Sequence, residues 1–195
     1  MARQISDLKL GILGGGQLGR MLIQEAINYN LTTLVLDPDQ NAPCKNISNY
    51  FECGSITDYD TVYNFGKKAD VITIEIEKVN IEALEQLEKE GKLVFPQSRV
   101  IRLIQDKGVQ KQFFKENDIP TSPFVLVNGR AEMMNSTFSY PYMLKQRKDG
   151  YDGKGVMRID SALDLENAFE GPCLIEELVD FEKESVNFNY KDKIQ

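Results

Sequence analysis

The sequence predicts an α/β fold, with a Rossmann-like parallel sheet in the first half and a smaller α+β unit after it. Short apolar strands alternate with helical segments over residues 1–95, which is the pattern of βαβ units and a parallel sheet. Beyond residue 120 the strands instead cluster around a glycine-rich loop, with one helical segment among them. We therefore expect two domains, residues 1–106 and residues 107–195.

The elements of the first domain follow from its apolar patterns. Short apolar runs predict strands at residues 8–13, 32–36, 48–53, 70–74 and 93–95. Apolar residues at helical spacing predict helices at residues 17–29, 58–67 and 80–89. Asp58 or Thr57 is expected to cap the second helix, and Gly91 to end the third.

A long helical stretch over residues 98–117 leads into the second part of the chain, and we expect it to break near Gly108. A turn-rich connector follows at residues 119–123. A helix is expected at residues 161–168. Strands are expected at residues 124–127, 142–146, 155–159 and 173–177.

Composition and charge exclude several classes of function. The 195 residues, 42% of them hydrophobic and 27% charged, suffice for a buried core. The net charge of −7 disfavours a nucleic-acid partner, because a diffuse acidic surface repels phosphate backbones. The absence of histidine excludes Ser/His/Asp triads and most zinc chemistry.

Cysteine content and hydropathy predict a cytoplasmic protein. Cys44, Cys53 and Cys173 are widely spaced, unlike a disulfide framework or a CxxC zinc site, so reduced structural thiols are expected. The N-terminus has no apolar signal core, and no apolar run approaches about 18 residues. No membrane partner is expected.

A glycine-rich turn follows the first predicted strand. Residues 14–19, GGGQLG, fit G-x-G-x-x-G between a strand and a helix, where glycines permit close approach and free amides attract an anion. Asp37 ends the second strand at about the distance where dinucleotide folds place a ribose-binding acid. Three interpretations stay open: an NAD(P)-dependent enzyme, a site for substrate phosphate or ribose, and a tight turn without a ligand.

A second glycine-rich loop lies between two predicted strands at residues 145–155, KQRKDGYDGKG. Its glycines would let backbone amides wrap phosphates, and Lys145 and Lys154 would neutralise the phosphate charge. A solvated surface hairpin is the alternative. If this loop binds the nucleotide, Asp37 is better explained as a loop cap or a neighbour of the substrate than as a ligand of NAD.

The loop at residues 145–155 resembles the phosphate-covering loop of the ATP-grasp superfamily. Three further segments narrow the resemblance: residues 14–21, GGGQLGRM, then Glu75-Ile76-Glu77, and Phe95-Pro96. In this order and spacing, from about residue 8 to residue 184, they resemble the family of 5-(carboxyamino)imidazole ribonucleotide synthases, which are ligases of purine biosynthesis.

This resemblance implies an ATP-dependent ligase. Members of the family couple ATP, bicarbonate and 5-aminoimidazole ribonucleotide through carboxyphosphate, forming N5-carboxyaminoimidazole ribonucleotide and releasing ADP and phosphate. Such chemistry depends on positioning and charge stabilisation by lysines, backbone amides and magnesium. Small molecules are the implied partners, and ligases of this type are often homodimers.

The resemblance also implies roles for particular residues. Lys145 would contact the α- and β-phosphates, the backbone of residues 176–179 would read the adenine edge, and Glu184 would hold the ribose. Lys107 stands where the family commonly has arginine, and lysine keeps the charge but loses the planar fork. The implied ATP-binding residues are Lys107, Lys145, Gly150, Tyr151, Asp152, Gly153, Lys154, Gly155, Val156, Glu176, Glu177, Leu178, Val179 and Glu184. The implied ribonucleotide-binding residues are Gln17, Leu18 and Glu75, and no catalytic residue is assigned.

Some of these residues have a plainer interpretation. Glu77 could face solvent, Glu176 and Glu177 could be an exposed pair at a strand end, and Glu184 could belong to a solvated charge cluster. Leu18 is expected to contribute to the core as well as to any contact.

The resemblance stops after Glu184, where the family continues with a strand of alternating apolar residues and this chain has the polar residues 185–195. A frameshift or a truncated reading frame would produce such an end. The family's magnesium-binding carboxylates belong to the later part of the ATP-grasp domain. The resemblance therefore implies an incomplete ATP-grasp domain with no metal ligand in this chain, weak nucleotide binding and negligible ligase activity.

Three other functions stay open at this point. An NAD(P)-linked oxidoreductase would use the first glycine turn but would leave the loop at residues 145–155 unexplained. A ligase like the formate-dependent glycinamide ribonucleotide transformylase shares the superfamily, although Tyr151-Asp152 favours the carboxylating enzyme. A non-catalytic nucleotide-binding remnant is the third.

Overall fold

The computed structural model describes residues 7–150 and 154–181. The chain divides into two compact units. The first runs to Phe113 and also contains Arg147–Asp149, and the second consists of Phe114–Gln146 and the residues from Gly150 onward. Each unit has its own sheet and its own core.

The first unit is built on a five-stranded parallel sheet, as the alternating pattern predicts. Its strands are β1 (Lys9–Leu13), β2 (Thr32–Asp37), β3 (Tyr50–Cys53), β4 (Val71–Ile74) and β5 (Leu93–Phe95). They lie in the order β3-β2-β1-β4-β5, and every neighbouring pair is parallel. Strands β2 and β3 lie on one side of β1, and β4 and β5 lie on the other, so the strand order reverses between β1 and β4. Open α/β sheets bind ligands in the crevice at such a reversal.

Helices follow the strands of this sheet and cover both of its faces. They are α1 (Gln17–Asn28), α2 (Tyr59–Gly66), α3 (Ile81–Lys89) and α4 (Ser98–Ile104). Asp58 caps α2 by accepting from Thr61 N at 2.8 Å, and Asn80 caps α3 by accepting from Ala83 N at 2.8 Å. Gly91 follows the end of α3 with φ +84°, which confirms its predicted role as a terminator.

Successive residues of β1 point to opposite faces, and each face has a core. Ile12 packs with Ile23, Val35 and Cys44 on one side. Leu13 belongs to a larger cluster on the other side, whose members include Leu36, Val62, Phe65, Ile72, Leu84, Leu87 and Ile101. Burial on both faces explains why the strands are nearly continuous apolar runs.

The long helical stretch breaks near Gly108, as predicted, and the break lies at residues 105–106. Helix α4 ends at Ile104, and α5 (Lys107–Glu116) begins one residue before Gly108. The Asp106 carboxylate accepts from Gly108 N at 2.8 Å and from Val109 N at 3.2 Å, so it caps α5. The break therefore results from a capping side chain, and Gly108 is inside the helix.

The second unit contains a four-stranded antiparallel sheet in the order β6-β9-β7-β8. The strands are β6 (Phe124–Val127), β7 (Tyr142–Gln146), β8 (Val156–Ile159) and β9 (Cys173–Glu177), as predicted to within one residue. The predicted helix at residues 161–168 is a 3₁₀ turn, Ala162–Asn167, and a short helix that was not predicted, α6 (Arg130–Met134), precedes β7. One sheet face packs on α6 and the 3₁₀ turn through Val127, Met133, Tyr142, Leu144, Ile159, Leu165 and Ile175.

Over the described ranges, 7–150 and 154–181, none of the helices combines the length and the apolar content that crossing a membrane requires.

Candidate functional site

The glycine turn of the first unit is closed by its own backbone and by Asp37. Gly14 N donates to Leu36 O at 2.9 Å, and Gly14 has φ +98°, which favours glycine. Gly15 N donates to Asp37 Oδ2 at 2.6 Å, and the second oxygen of Asp37 accepts from Asp39 N at 2.7 Å. Asp37 thus acts as a loop cap, and a protein carboxylate holds the amide that an anionic ligand would need.

A second carboxylate, that of Glu75, lies against the same turn. Glu75 directly follows β4, and its backbone N donates to Leu13 O at 2.8 Å. A Cβ atom at Gly16 would lie 2.5 Å from Glu75 Oε1, and one at Gly14 would lie 2.8 Å from Oε2. The glycines therefore leave room for a partly buried carboxylate at the reversal point of the sheet. An acceptor in this place suits hydroxyl or amino groups of a ligand better than a pyrophosphate.

The three candidate ribonucleotide-binding residues lie at this turn. Gln17 and Leu18 form the first turn of α1 with exposed side chains, so Leu18 is not a core residue. Leu18 and Glu75 line a hollow of about 130 Å³ together with Ile12, Gly19, Leu22 and Ile74. The hollow is apolar apart from Glu75. Glu77, two residues further, is exposed to solvent.

Cys44 packs beneath the glycine turn as a structural thiol. Its backbone N donates to Gly15 O at 3.0 Å, and its Sγ lies 3.5 Å from Gly16 O. Burial, together with the Glu75 and Asp37 carboxylates, raises the pKa of the Cys44 thiol to about 11. A thiol with such a pKa stays protonated at neutral pH and is a poor nucleophile.

In the second unit, Lys145 and Glu176 meet on the sheet face opposite the core. Glu176 of β9 pairs in register with Met143 of β7, so Lys145 is its diagonal neighbour on the same face. The Lys145 ammonium forms an ion pair with Glu176 Oε2, and Ser122 Oγ donates to Oε1 at 3.0 Å. Glu176 is only 3% exposed, whereas the Lys145 side chain is 31% exposed.

This pair combines a buried anchor with an accessible cation. The carboxylate compensates the cost of burying charge and fixes the direction of the lysine side chain. The ammonium has three donors, so it can keep Glu176 and still bind another anion. An ordered, partly exposed lysine of this kind suits the binding of phosphate oxygens.

The loop that follows Lys145 is closed at its base by glycines. Gln146 N donates to Gly155 O at 2.8 Å. Gly155 has φ +75°, and a Cβ atom there would lie 2.7 Å from Gln146 Oε1 and 3.0 Å from Gly150 Cα. Gly150 and Gly155 therefore bring the two ends of the loop together, and a larger residue at Gly155 would separate them. The candidate residues Tyr151, Asp152 and Gly153 lie outside the described residues.

The segment from Glu176 to Val179 divides between two sides of the sheet. Glu176 points to Lys145, and the exposed Glu177 follows it on the opposite face. Glu177 and Leu178 line an open cleft of about 530 Å³ with Pro123, Thr137, Phe138, Ser139, Tyr140 and Pro141. Val179 is exposed. Glu184 lies outside the described residues.

Lys107, a further nucleotide candidate, is the first residue of α5 in the first unit. Its backbone N donates to Arg147 O at 2.8 Å. Arg147 in turn donates from Nε and Nη2 to the two oxygens of Asp106, both at 2.9 Å. Burial opposes ionisation of Asp106, but Arg147 and the capped amides outweigh it and hold its pKa below the usual value.

Sequence reasoning missed Asp106, Arg147 and Ser122. An aspartate directly before a helical segment is a capping signal, so Asp106 could have been found. The partners of Arg147 and Ser122 are 41 and 54 residues away in the chain, and no local pattern signals such pairs.

Two models of known protein families match the chain. The model of the ATP-grasp domain matches residues 112–189, which contain the Lys145–Glu176 pair and the glycine loop. The model of the ribonucleotide synthetase preATP-grasp domain matches residues 8–105, half of the chain. The chain therefore belongs to the ATP-grasp ribonucleotide synthetase family, with a preATP-grasp domain followed by ATP-grasp sequence.

Its relatives include enzymes named for aminoimidazole ribonucleotide chemistry. The chain is 39% identical to a phosphoribosylaminoimidazole carboxylase of Candida glabrata over 186 residues, which are 90% of this chain and 32% of the relative. It is 31% identical to the N5-carboxyaminoimidazole ribonucleotide synthase of Staphylococcus epidermidis, covering 90% of this chain and 48% of the relative.

The chain is also similar to a solved structure of an enzyme with the same kind of name. The N5-carboxyaminoimidazole synthase of Aspergillus clavatus, in complex with ADP and 5-aminoimidazole ribonucleotide, superposes with a TM-score of 0.80 at 34% identity. The match covers 91% of this chain and 48% of that one. The chain thus spans about a third to a half of the length of the relatives it matches.

Proposed function

We propose that the chain provides the ribonucleotide-binding and nucleotide-binding parts of an ATP-dependent ligase. The reaction would carboxylate 5-aminoimidazole ribonucleotide with bicarbonate, giving N5-carboxyaminoimidazole ribonucleotide, ADP and phosphate. The observation that carries the proposal is the Lys145–Glu176 pair at the entrance of the glycine loop. It supplies an ordered cation in a family whose Aspergillus clavatus member holds ADP and 5-aminoimidazole ribonucleotide.

Nucleotide binding is assigned to the domain from residue 107 onward. Lys145 would neutralise the α- and β-phosphates while Glu176 fixes its direction. The amides of Gly150, Gly155 and neighbouring loop residues would hold phosphate oxygens, and Lys154 and Lys107 would add positive charge. Tyr151, Asp152, Gly153, Val156, the segment 177–179 and Glu184 complete the proposed nucleotide-binding set.

Ribonucleotide binding is assigned to residues 1–106. Glu75 offers carboxylate oxygens beside the glycine turn, where they would accept from ribose hydroxyls or from the amino group of the substrate. Leu18 would contact an apolar edge of the ligand in the same hollow, and the exposed Gln17 would hydrogen-bond to it.

Magnesium would accompany ATP and stabilise charge on its phosphates. Among residues 7–150 and 154–181, no three Asp, Glu or Cys side chains group closely enough to hold a metal ion. A cytoplasmic location and assembly as a homodimer belong to the same proposal.

Two alternatives are less well supported. An NAD(P)-dependent enzyme needs an open anion site at the glycine turn, but Asp37 and Glu75 place two carboxylates there. A formate-dependent glycinamide ribonucleotide ligase would share the superfamily, but the relatives described above carry names for aminoimidazole ribonucleotide chemistry.

The ribonucleotide site can be tested by calorimetric titration with 5-aminoimidazole ribonucleotide. Glu75→Gln removes the charge beside the turn and should weaken binding by roughly tenfold, about 1.4 kcal/mol, as expected for a charge-assisted hydrogen bond. Glu77→Gln is the matched control, because Glu77 is exposed on the same chain segment, and it should bind like the wild type. Equal affinities in all three proteins would contradict the assignment.

Turnover is tested by phosphate release from ATP in the presence of 5-aminoimidazole ribonucleotide and bicarbonate. The chain spans 48% of the length of the Staphylococcus epidermidis relative, so we expect negligible release from this chain alone. Addition of the part of the Staphylococcus epidermidis relative that this chain does not match should raise the rate. A rate of phosphate release that does not depend on 5-aminoimidazole ribonucleotide would contradict the proposed reaction.

A further inference from the structure

The described residues just before Gly150 are attached to the start of α5 by a forked ion pair. Arg147 Nε lies 2.9 Å from Asp106 Oδ1, and Arg147 Nη2 lies 2.9 Å from Oδ2. The side chains are 23% and 11% exposed. Two parallel charge-assisted bonds at a largely buried position are a strong and geometrically specific contact.

The same carboxylate organises the beginning of α5. Asp106 Oδ1 also accepts from Gly108 N and Val109 N, so one side chain serves both as helix cap and as partner of Arg147. The backbone contributes a further bond, from Lys107 N to Arg147 O. Lys107 and Arg147 are thereby held in a fixed relation by both side-chain and backbone bonds.

Gly108 leaves the space that the Arg147 side chain occupies. A Cβ atom at Gly108 would lie 2.9 Å from Arg147 Cζ and 3.1 Å from its Cδ. Glycine inside a helix is otherwise unfavourable relative to alanine. The fork of Arg147 therefore gives a packing reason for a glycine in the first turn of α5.

A second contact lies two residues after Arg147. The Asp149 carboxylate forms an ion pair with the Lys78 ammonium at 2.8 Å. Both side chains are well exposed, at 70% and 58%, so this pair contributes less than the buried fork. The fork therefore contributes more than this ion pair to holding the segment Arg147–Asp149.

We propose that Arg147 is a positioning residue of the nucleotide site, acting through Asp106. Its fork holds the chain that enters the glycine loop beside Lys107, so that the loop begins from a fixed point. The inference rests on the proposed function, in which the loop binds phosphates. Arg147 itself need not touch the nucleotide.

The first test uses calorimetric titration of the full chain with the ATP analogue AMP-PNP. Arg147→Lys keeps the charge but cannot form the fork, and Arg147→Ala removes both. Each should weaken binding by roughly tenfold, because misplacement of a loop reduces all of its phosphate contacts. Arg102→Lys is the control: Arg102 forms an exposed ion pair with Glu85 in the same unit, and the variant should bind like the wild type.

Gly108→Ala provides a test that adds no charge change. Its methyl group should displace Arg147 from Asp106 and weaken AMP-PNP binding as Arg147→Ala does. In the Arg147→Ala background the space is empty, so Gly108→Ala should then have no further effect on affinity. Additive losses of affinity would overturn the proposal, because they would mean that Gly108 and Arg147 act independently.

Hydrogen exchange separates this inference from the proposed function. The Lys107 amide donates to Arg147 O, so its exchange should accelerate in Arg147→Ala and Gly108→Ala but not in Arg102→Lys. Unchanged exchange at Lys107 would overturn the anchoring itself. Absence of AMP-PNP binding in the wild-type chain, with exchange altered as expected, would instead overturn the nucleotide role.

Discussion

Asp37 Oδ2 accepts the amide hydrogen of Gly15 across 2.6 Å, and this bond determines what the glycine turn can bind. In a dinucleotide-binding fold the amides of such a turn face a pyrophosphate. Here the Asp37 carboxylate accepts the hydrogen bond of one such amide, and Glu75 lies against the neighbouring glycines. The turn therefore presents acceptors to a ligand, although its sequence fits the dinucleotide fingerprint.

The wild-type chain should not bind NADH. Two carboxylates at the turn would repel the pyrophosphate, which carries negative charge. A fluorescence titration of NADH with the purified chain should show no saturable change. Saturable binding that is abolished by a bulky substitution at Gly15 would restore the oxidoreductase interpretation.

Asp37→Ala should destabilise the first unit by about 2 kcal/mol, because the change leaves the Gly15 and Asp39 amides without their acceptor. Urea denaturation followed by circular dichroism measures the free energy of unfolding. Asp39→Ala is the matched control, since it removes one exposed bond to Asn41 N and should cost less than about 1 kcal/mol. Equal losses would mean that Asp37 does not hold the turn.

Substitutions at Lys145 and at Glu176 should lower the free energy of unfolding by different amounts. Lys145→Met leaves a carboxylate that is 3% exposed without its cation and should cost about 2–3 kcal/mol. Glu176→Gln should cost about 1 kcal/mol, because Lys145 is partly exposed and retains access to water. Urea denaturation of both variants tests the order, and a larger loss in Glu176→Gln would contradict it.

The stability of the chain should fall at alkaline pH through Cys44. Burial, with Glu75 and Asp37, raises the pKa of its thiol from 9.0 to about 11. A raised pKa in the folded state gives stability that is complete below pH 9 and is lost as pH rises toward 11. The wild type should therefore lose up to about 2 kcal/mol more than Cys44→Ala between pH 8 and pH 10.5.

Urea denaturation of both proteins at the two pH values measures this difference. Other groups titrate in the same range, but they are common to both proteins and cancel in the comparison. Parallel decreases in the free energy of unfolding would show that the Cys44 thiol has no raised pKa.

Much of the fold could be predicted because it is locally encoded. The strands of both sheets follow from apolar runs, and the caps Asp58, Asn80 and Gly91 mark helix ends that depend on a few neighbouring residues. The helix Arg130–Met134 was missed because its five residues are too few to show a helical period.

The candidate site was less accessible to prediction than the fold. The loop at residues 145–155 and Glu75 could be chosen from their motifs, but the partners that organise them are distant in sequence. Glu176 reaches back to Lys145 across a strand pair, and Arg147 reaches Asp106 across 41 residues. Which carboxylate holds which cation depends on strand register and packing, and neither can be read from a local pattern.

Nucleotide binding through Lys145 is the property on which the proposed function most directly depends. Calorimetric titration of the chain with AMP-PNP, with and without magnesium, should give saturable binding that Lys145→Ala weakens by at least roughly tenfold. Lys68→Ala, which removes an exposed lysine paired with Glu52, should leave the affinity unchanged. Absence of binding in a folded wild-type chain, or equal affinity in Lys145→Ala, would contradict nucleotide binding through Lys145.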